Sequence, residues 1–423
     1  MLRLPSRRQL SRFLREKIIG WNPLPVLVLR LLAAALWRRL LFRTTVVAIT
    51  GSVGKTTAKE MIAAVLATQG RVRKTYKNLN GRIGVAHTLL QSTPFHRFCV
   101  VEIGIDRPGL MKWLARVAKP DVAVWLGVAR THTNRLASLD QTAFEKSRLF
   151  QALPPGAFAL TPDSNPFRLQ FPAPQHARPL LFGQSPEAEV RAANVSCAWP
   201  QTLSFDLLLP NHPPVPIQTQ LAAPHFLDAV LSACAVAHAL NIPPAAAAEA
   251  IRSVSPFPAR CSIHSTPGGA TFLRDDYNGS FDTFQPGLDV VARASATRKI
   301  LVISDLSDHS HIRTRGKAIG QAAAAHFDLA VFIGLKTVYA ETAATKAGLP
   351  PSQIRSFFSV EDAARFLQTE LRPGDFVYLK GRSTDHVSRV FLHLVQSVTC
   401  WKDRCPKTCL CDECSELSIV HVQ

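Results

Sequence analysis

The segment Val46-Val47-Ala48-Ile49-Thr50-Gly51-Ser52-Val53-Gly54-Lys55-Thr56-Thr57 constrains the fold more than any other part of the chain. An apolar, β-branched run enters a glycine-bearing turn, and the turn opens straight into the helical pattern Lys55 to Ala67. Strand, tight loop and helix in that order aim backbone N–H groups and the positive end of the helix at one point, the geometry of a phosphate cradle. Gly51 and Gly54 let the chain approach an anion closely, Lys55 supplies charge, and the Thr56 hydroxyl suits magnesium. The spacing G-x-x-G-K-T-T is shorter than the usual four-residue gap, and a chance glycine turn is the bland alternative. The predicted ligand is a nucleoside triphosphate, held by Gly51, Ser52, Gly54, Lys55, Thr56 and Thr57.

Around this loop, apolar runs alternate with helical patterns: Thr44 to Thr50, Lys55 to Ala67, Phe98 to Gly104 and Asp121 to Val128. Such alternation predicts an α/β domain with a largely parallel sheet. The proline-rich stretch 154 to 224 reads as turns and short strands, and Phe226 to Leu240, with Ala229, Ala233 and Ala237 at helical spacing, as a tightly packed helix. A second alternation follows Pro256, with strands at Thr271 to Arg274, Lys299 to Ser304, Asp328 to Gly334, Ile354 to Ser359 and Phe376 to Gly381. This predicts a second doubly wound, Rossmann-like domain. At 423 residues with 47% hydrophobic side chains, the chain has the length for several domains and the apolar content to fold them. The expected division is 1–43, a basic and apolar N-terminal segment; 44–254, a central P-loop domain; 255–395, a C-terminal Rossmann-like domain; and 396–423, a cysteine-rich appendage.

The net charge of +19 suits a partner carrying phosphate, nucleic acid or anionic lipid, and it is unevenly spread. Residues 1–43 hold ten Lys and Arg side chains against one acid, Glu16. Their apolar run Leu24 to Phe42 is broken by Arg30, Arg38 and Arg39, so it falls short of the ~18 uncharged residues of a spanning helix. No small-residue cleavage site follows it, which argues against a secretory signal. An interfacial helix on anionic lipid and a surface helix packed on its own domain are the two readings. Leu29, Leu32, Leu36 and Leu40 fall on one face of that helix.

Cys99, Cys197, Cys234 and Cys261 lie scattered in apolar or mixed surroundings, as buried thiols of a reducing compartment do. Cys400, Cys405, Cys409, Cys411 and Cys414 crowd the tail. Their spacing fits no established metal signature. The readings are a zinc or iron–sulfur site, with Cys405, Cys409, Cys411 and Cys414 as its preferred thiolates, or a merely exposed tail.

The loop, then Thr75-Tyr76-Lys77-Asn78-Leu79-Asn80-Gly81-Arg82-Ile83-Gly84-Val85, then Val101-Glu102-Ile103-Gly104, follow in an order and spacing that resemble the Mur ligases, the MurF type most of all. Thr131-His132, Glu145-Lys146, His225, Pro258-Ala259-Arg260, Asp275-Asp276-Tyr277-Asn278 and Leu379-Lys380-Gly381 keep the same register, so the resemblance spans about 44 to 395. It implies an ATP-dependent ligase that phosphorylates a carboxylate and lets an amine displace the phosphate, in cell-wall peptide synthesis. Lys55 and Thr56 would then hold phosphate and one Mg²⁺, Glu102 would bind that metal and His132 a second. Lys146 stands where Mur ligases often carry a carbamylated lysine, Arg260 where an arginine reaches the γ-phosphate, and Asn278 near the adenosine. Asp305, at the end of a strand, is placed for ribose hydroxyls, with helix capping as the alternative. Without the resemblance, Glu102 reads as a capped carboxylate and His132 as a loop histidine.

Three departures qualify what carries over. Arg148 stands two residues after Lys146, where the family usually has an acid; Ser304 and Leu306-Ser307-Asp308-His309 replace a glycine and a glutamate-leucine-glycine run around Asp305. The 43 residues before the ATP domain are too few for the UDP-sugar-binding domain of MurF-type enzymes. The expected partners are therefore ATP with Mg²⁺, a carboxylate-bearing acceptor, an amino acid or dipeptide, and an anionic membrane surface at the cytoplasmic face; nucleic acid is not expected. Two alternatives stand beside this: a membrane-associated ligase extending a polymer or lipid-linked acceptor, and a nucleotide-binding partner without catalysis.

Overall fold

The computed structural model describes residues 24–128, 138–306, 311–402, 405, 407 and 409–417, in two compact units. The first comprises the chain to Asn194 with Phe205–Ile217 and Phe226–Val254; the second comprises Val195–Ser204, Gln218–His225 and the chain from Ser255.

Among the described residues the first unit is built on a nine-stranded sheet. Its strands are β1 (Thr45–Thr50), β2 (Val72–Lys74), β3 (Phe98–Glu102), β4 (Val122–Trp125), β5 (Phe158–Pro162), β6 (Arg178–Gly183), β7 (Val190–Ser196), β8 (Ser204–Leu208) and β9 (Val215–Gln218). They lie in the order β2-β3-β1-β4-β5-β6-β7-β8-β9, so the proline-rich stretch supplies one whole side of the sheet. β1 runs parallel between β3 and β4, and its residues Val46 to Thr50 are all buried, as a strand covered on both faces requires.

The helices of this unit are α1 (Leu24–Leu40), α2 (Lys55–Ala67), α3 (Arg82–Leu90), α4 (Leu110–Ala118), α5 (Leu139–Ser147), α6 (Leu227–Ala239) and α7 (Pro244–Arg252). α2 packs on α6, whose buried alanines Ala229, Ala233 and Ala237 permit a close approach. α1 lies against α3 and α4 through Leu27, Leu31 and Ala34. At its end Trp37 Nε1 donates to Ser92 O at 2.7 Å. The buried Arg38 caps α4, donating to Ala118 O at 3.1 Å and Lys119 O at 3.0 Å, and meets Asp121 at 2.9 Å. A guanidinium on the last carbonyls of a helix satisfies orphan acceptors and opposes the negative end of the dipole. Asp121 Oδ2 also accepts from Val46 N at 2.7 Å, which ties α1 to the start of β1. The surface-helix reading thus holds for one face of α1. Among the described residues no helix is long and apolar enough to cross a membrane.

The second unit has a six-stranded sheet among the described residues: β10 (Ser262–Ser265), β11 (Thr271–Asp275), β12 (Arg298–Ser304), β13 (Leu329–Ile333), β14 (Ile354–Phe357) and β15 (Asp375–Lys380), ordered β10-β11-β15-β12-β13-β14. β10 is antiparallel to β11 and the other pairings are parallel. From β12 the order advances to β13 and β14, then returns to β15 on the other side. The crevice at the carboxyl ends of β12 and β15 is therefore the topological switch point, where doubly wound sheets bind ligands. Its helices are α8 (Phe284–Arg293), α9 (Ile312–His326), α10 (Val338–Lys346), α11 (Val360–Glu370) and α12 (Ser388–Val395).

The cysteine-rich segment is packed rather than appended. Cys411 and Leu417 are buried in the same apolar cluster as Val377, Leu379 and Val390, and Leu410 is buried beside Cys411 in the chain. Asp412 accepts from Arg274 at 2.5 and 3.0 Å, and Cys411 Sγ lies 3.3 Å from His386 Nδ1. Periodicity was a poor guide here because short turns carry the burial.

Candidate active site

The loop after β1 has the form the sequence requires. Gly54 sits at φ 79° and precedes α2, and Gly51 has φ 154° with its Cα against Leu126, where an added Cβ would lie 2.9 Å from the Leu126 Cβ. A side chain at either position meets strain or a clash, which is the reason for glycine. Lys55 Nζ folds over the loop, donating to Gly51 O at 2.8 Å and Ser52 O at 3.1 Å. Thr56 and Thr57 are buried in the first turn of α2.

Glu102 ends β3 beside β1, and parallel pairing of Ile49 with Glu102 brings its carboxylate to α2. Thr56 Oγ1 donates to it at 3.2 and 3.3 Å, and Asn80 Nδ2 to Oε1 at 2.8 Å. Lys59, one turn beyond Lys55 on α2, places Nζ 3.9 Å from Glu102 Oε2 and 3.0 Å from Glu60, and donates to Lys77 O. Glu102 is fully buried. Gly104 makes room for this arrangement, since a Cβ there would lie 2.6 Å from Asn80 Oδ1. A buried carboxylate and a hydroxyl together are hard oxygen donors and fit a magnesium ion.

Lys146 comes to the same loop from α5. Its Nζ donates to Gly51 O at 2.8 Å, the carbonyl that Lys55 also uses. Burial holds its pKa well below the usual lysine range, and the neighbouring Lys55 charge pushes in the same direction. The polar run Glu145-Lys146-Ser147-Arg148 reads as a helix surface, yet Glu145, Lys146 and Ser147 are buried where α5 packs on α4. Glu145 accepts from Gly109 N at 2.9 Å and Arg148 at 3.4 Å, so the arginine standing in place of the family's acid is an ion-pair partner. His132 lies outside the described residues.

In the second unit Asp305 follows β12 and lines a pocket with Ser304, Leu306, Arg315, Lys336 and Thr337. Its Oδ1 accepts from Lys336 N at 3.0 Å, and burial raises its pKa. Ser304 Oγ donates to Asp385 at 2.9 Å across the switch point. Arg260 stacks over the Tyr277 ring at 4.5 Å and the Phe257 ring at 5.4 Å, while its buried Nε meets no hydrogen-bond acceptor in the protein. Asn278 is exposed; its Oδ1 accepts from Ser280 N at 3.2 Å and its backbone O from Lys380 Nζ at 2.9 Å.

The structure therefore brings Gly51, Lys55, Thr56, Glu102 and Lys146 together in one unit, and gathers Asn278, Lys380 and Asp275 in the other. Asn80 and Lys59 take part in the first cluster without having been assigned roles. Lys59 was findable, because a lysine four residues after Lys55 shares its helix face. Among the described residues, Cys405, Cys409, Cys411 and Cys414 included, no three His, Cys, Asp or Glu side chains are placed to share a metal ion.

A profile of the Mur ligase middle domain matches residues 49–237, and one of the Mur ligase glutamate ligase domain matches 259–383. The UDP-N-acetylmuramoyl-tripeptide–D-alanyl-D-alanine ligase of Synechocystis sp. is 26% identical over 370 residues, 86% of this chain and 77% of the relative. The Escherichia coli protein of that name is 28% identical over 319 residues, 73% of this chain and 69% of its own. MurF from Acinetobacter baumannii superposes with a TM-score of 0.76 at 22% identity, covering 87% of this chain and 80% of that one. The MurF ligase of Thermotoga maritima in complex with ADP gives 0.75 at 20% identity, covering 88% and 84%. Sequence motifs, sheet order and these likenesses agree: the chain belongs to the Mur ligase family of ATP-dependent ligases.

Proposed function

We propose that the chain joins an amine to a peptide-bearing carboxylate at ATP's expense on the cytoplasmic side, in the manner its relatives' names describe: a muramoyl tripeptide as acceptor and D-alanyl-D-alanine as amine. The observation that carries the reading is the convergence of Lys55 and Lys146 on Gly51 O beside the Thr56–Glu102 pair. The acceptor carboxylate attacks the γ-phosphorus and ADP leaves; the amine then adds to the acyl phosphate, loses a proton and expels phosphate. Lys55 and the loop amides bind the phosphates and oppose their charge, which is most of what such a transfer asks of a protein. Thr56 and Glu102 would hold magnesium, whose chemistry when bound is to neutralise phosphate charge.

Lys146 is assigned as a carbamate, a product of the neutral amine, which burial and the Lys55 charge both favour. Arg260, whose Nε lacks a protein acceptor, is assigned to phosphate; Asp305 and Asn278 are assigned to the nucleoside. Purified protein should release ADP and phosphate only when acceptor and dipeptide are both present, with product heavier by the dipeptide less water. Turnover indifferent to both would reduce the chain to a nucleotide-binding partner. A second reading, with a lipid-linked or polymeric acceptor, is favoured by the exposed leucine face of α1. Substituting a lipid-linked tripeptide in the same assay separates the two.

A further inference from the structure

α1 has two apolar faces, and the domain uses one. Leu27, Leu31, Ala34 and the stem of Arg38 recur at spacings of four, three and four and are buried against α3 and α4. Leu29, Leu32, Leu36 and Leu40 recur at three, four and four on the opposite side, and are 65%, 52%, 65% and 62% exposed. Phe42 follows at 81%. A helix apolar on both sides needs a second partner, and a contiguous exposed leucine stripe marks where that partner lies.

Charge identifies it. The three packed helices α1, α3 and α4 contain no Asp or Glu, and besides the buried Arg38, which Asp121 pairs, they carry Arg30, Arg39, Arg82, Lys112 and Arg116. Lys112 and Arg116 are exposed on α4, beside the half-open Trp113. The preceding residues 1–23 add six basic side chains against Glu16 alone. An apolar stripe among helices that carry cations and no acidic residue complements a bilayer with anionic headgroups, where leucines enter the acyl boundary and the cations stay among phosphates. A helix-binding protein groove without acidic charge would satisfy the leucines but gain nothing from the cations.

We propose that the Leu29-Leu32-Leu36-Leu40 face of α1 docks this ligase in the plane of an anionic membrane surface, without spanning it. The docking rests on the packing of α1 and on charge, and holds whichever acceptor the ligase uses. It is tested on the full chain with sedimenting vesicles of phosphatidylcholine alone or with 30% phosphatidylglycerol, a composition set on the order used for anionic leaflets. The chain should co-sediment with the anionic vesicles and poorly with the neutral ones. The combined variant Leu29→Ser, Leu32→Ser, Leu36→Ser and Leu40→Ser should partition on the order of 10²-fold less. Its thermal unfolding should stay close to the parent's, since each of these side chains is more than half exposed. A second variant, Lys112→Glu with Arg116→Glu, should lose the preference for anionic over neutral vesicles by about 10-fold. Equal partitioning of the folded serine variant and the parent overturns the proposal. So does a parent that ignores vesicles and elutes as a dimer which the serine variant dissolves, because the face would then belong to a second copy. Acceptor-dependent ATP turnover, measured on the same preparations, reports the ligase reading separately: vesicle binding lost with turnover intact bears on the docking face alone.

Discussion

Lys146 in the first unit and Lys380 in the second are both buried, at 4% and 0% exposure, yet their surroundings are opposite. Lys380 Nζ meets the carboxylate of Asp275 at 2.5 Å, with Asn278 O and Thr283 Oγ1 completing its donors. Arg274, beside it, is likewise matched, by Asp276 and Asp412. Lys146 instead donates to a backbone carbonyl, and the charge bearing on it is another cation, Lys55. A buried cation given a carboxylate holds structure together. One given only a dipole and a like charge has its pKa pushed down, which is a property useful for chemistry and costly for stability.

That contrast can be broken most sharply at Lys380. Lys380→Ala leaves Asp275 buried without its counterion and should cost about 3–5 kcal/mol in denaturant unfolding of the second unit. A variant that folds with parental stability and merely loses turnover would make Lys380 a reacting group and erase the distinction. Lys55→Ala should do the reverse. ATP turnover falls on the order of 10² or more, because charge opposed to phosphate is removed, while unfolding stays within ~0.5 kcal/mol.

His225 sharpens the comparison through pH. Burial lowers its pKa from 6.5 to about 4, with Lys380 pushing the same way and Asp289 opposing. The unfolded chain therefore binds a proton over that interval that the folded chain refuses, and the stability it contributes is lost as pH falls from 6.5 toward 4. His225→Asn should flatten this part of the acid limb by about 2 kcal/mol, read by unfolding at pH 7 and pH 4.5. The smallest effect expected is at Lys146: Lys146→Ala should lose about 10-fold or more in turnover, partly restored by a short carboxylate such as acetate, with stability unchanged or improved. Full activity without rescue would leave Lys146 a packed lysine and nothing more.

How much was legible follows from range. The phosphate loop was readable because Val46 to Thr57 is one local unit whose geometry is fixed by two glycines and a strand-to-helix switch. Glu102 became meaningful only beside its motif neighbours, since Thr56 lies 46 residues away and the contact exists through the β1–β3 pairing. Asn80 and the Glu145–Arg148 pair carried no signal of their own chemistry, and Lys59 carried only its place four residues after Lys55 on the same helix. The proline-rich stretch was legible as turns and short strands, which β5 to β9 are, but their bounds and pairing order were not, because short strands carry little periodicity. The packing of Cys411 and Leu417 was invisible for the same reason.

The sequence by itself determined the alternation of strands and helices, the phosphate loop and the basic, leucine-bearing character of α1. Each rests on period, residue type or local backbone geometry. Tertiary structure decided which of the two apolar faces of α1 is covered, that Lys146 is buried against Gly51 O, and that Arg274 is shared between Asp276 and Asp412. Burial and charge pairing are properties of what surrounds a side chain, and those surroundings are assembled from segments up to 138 residues apart.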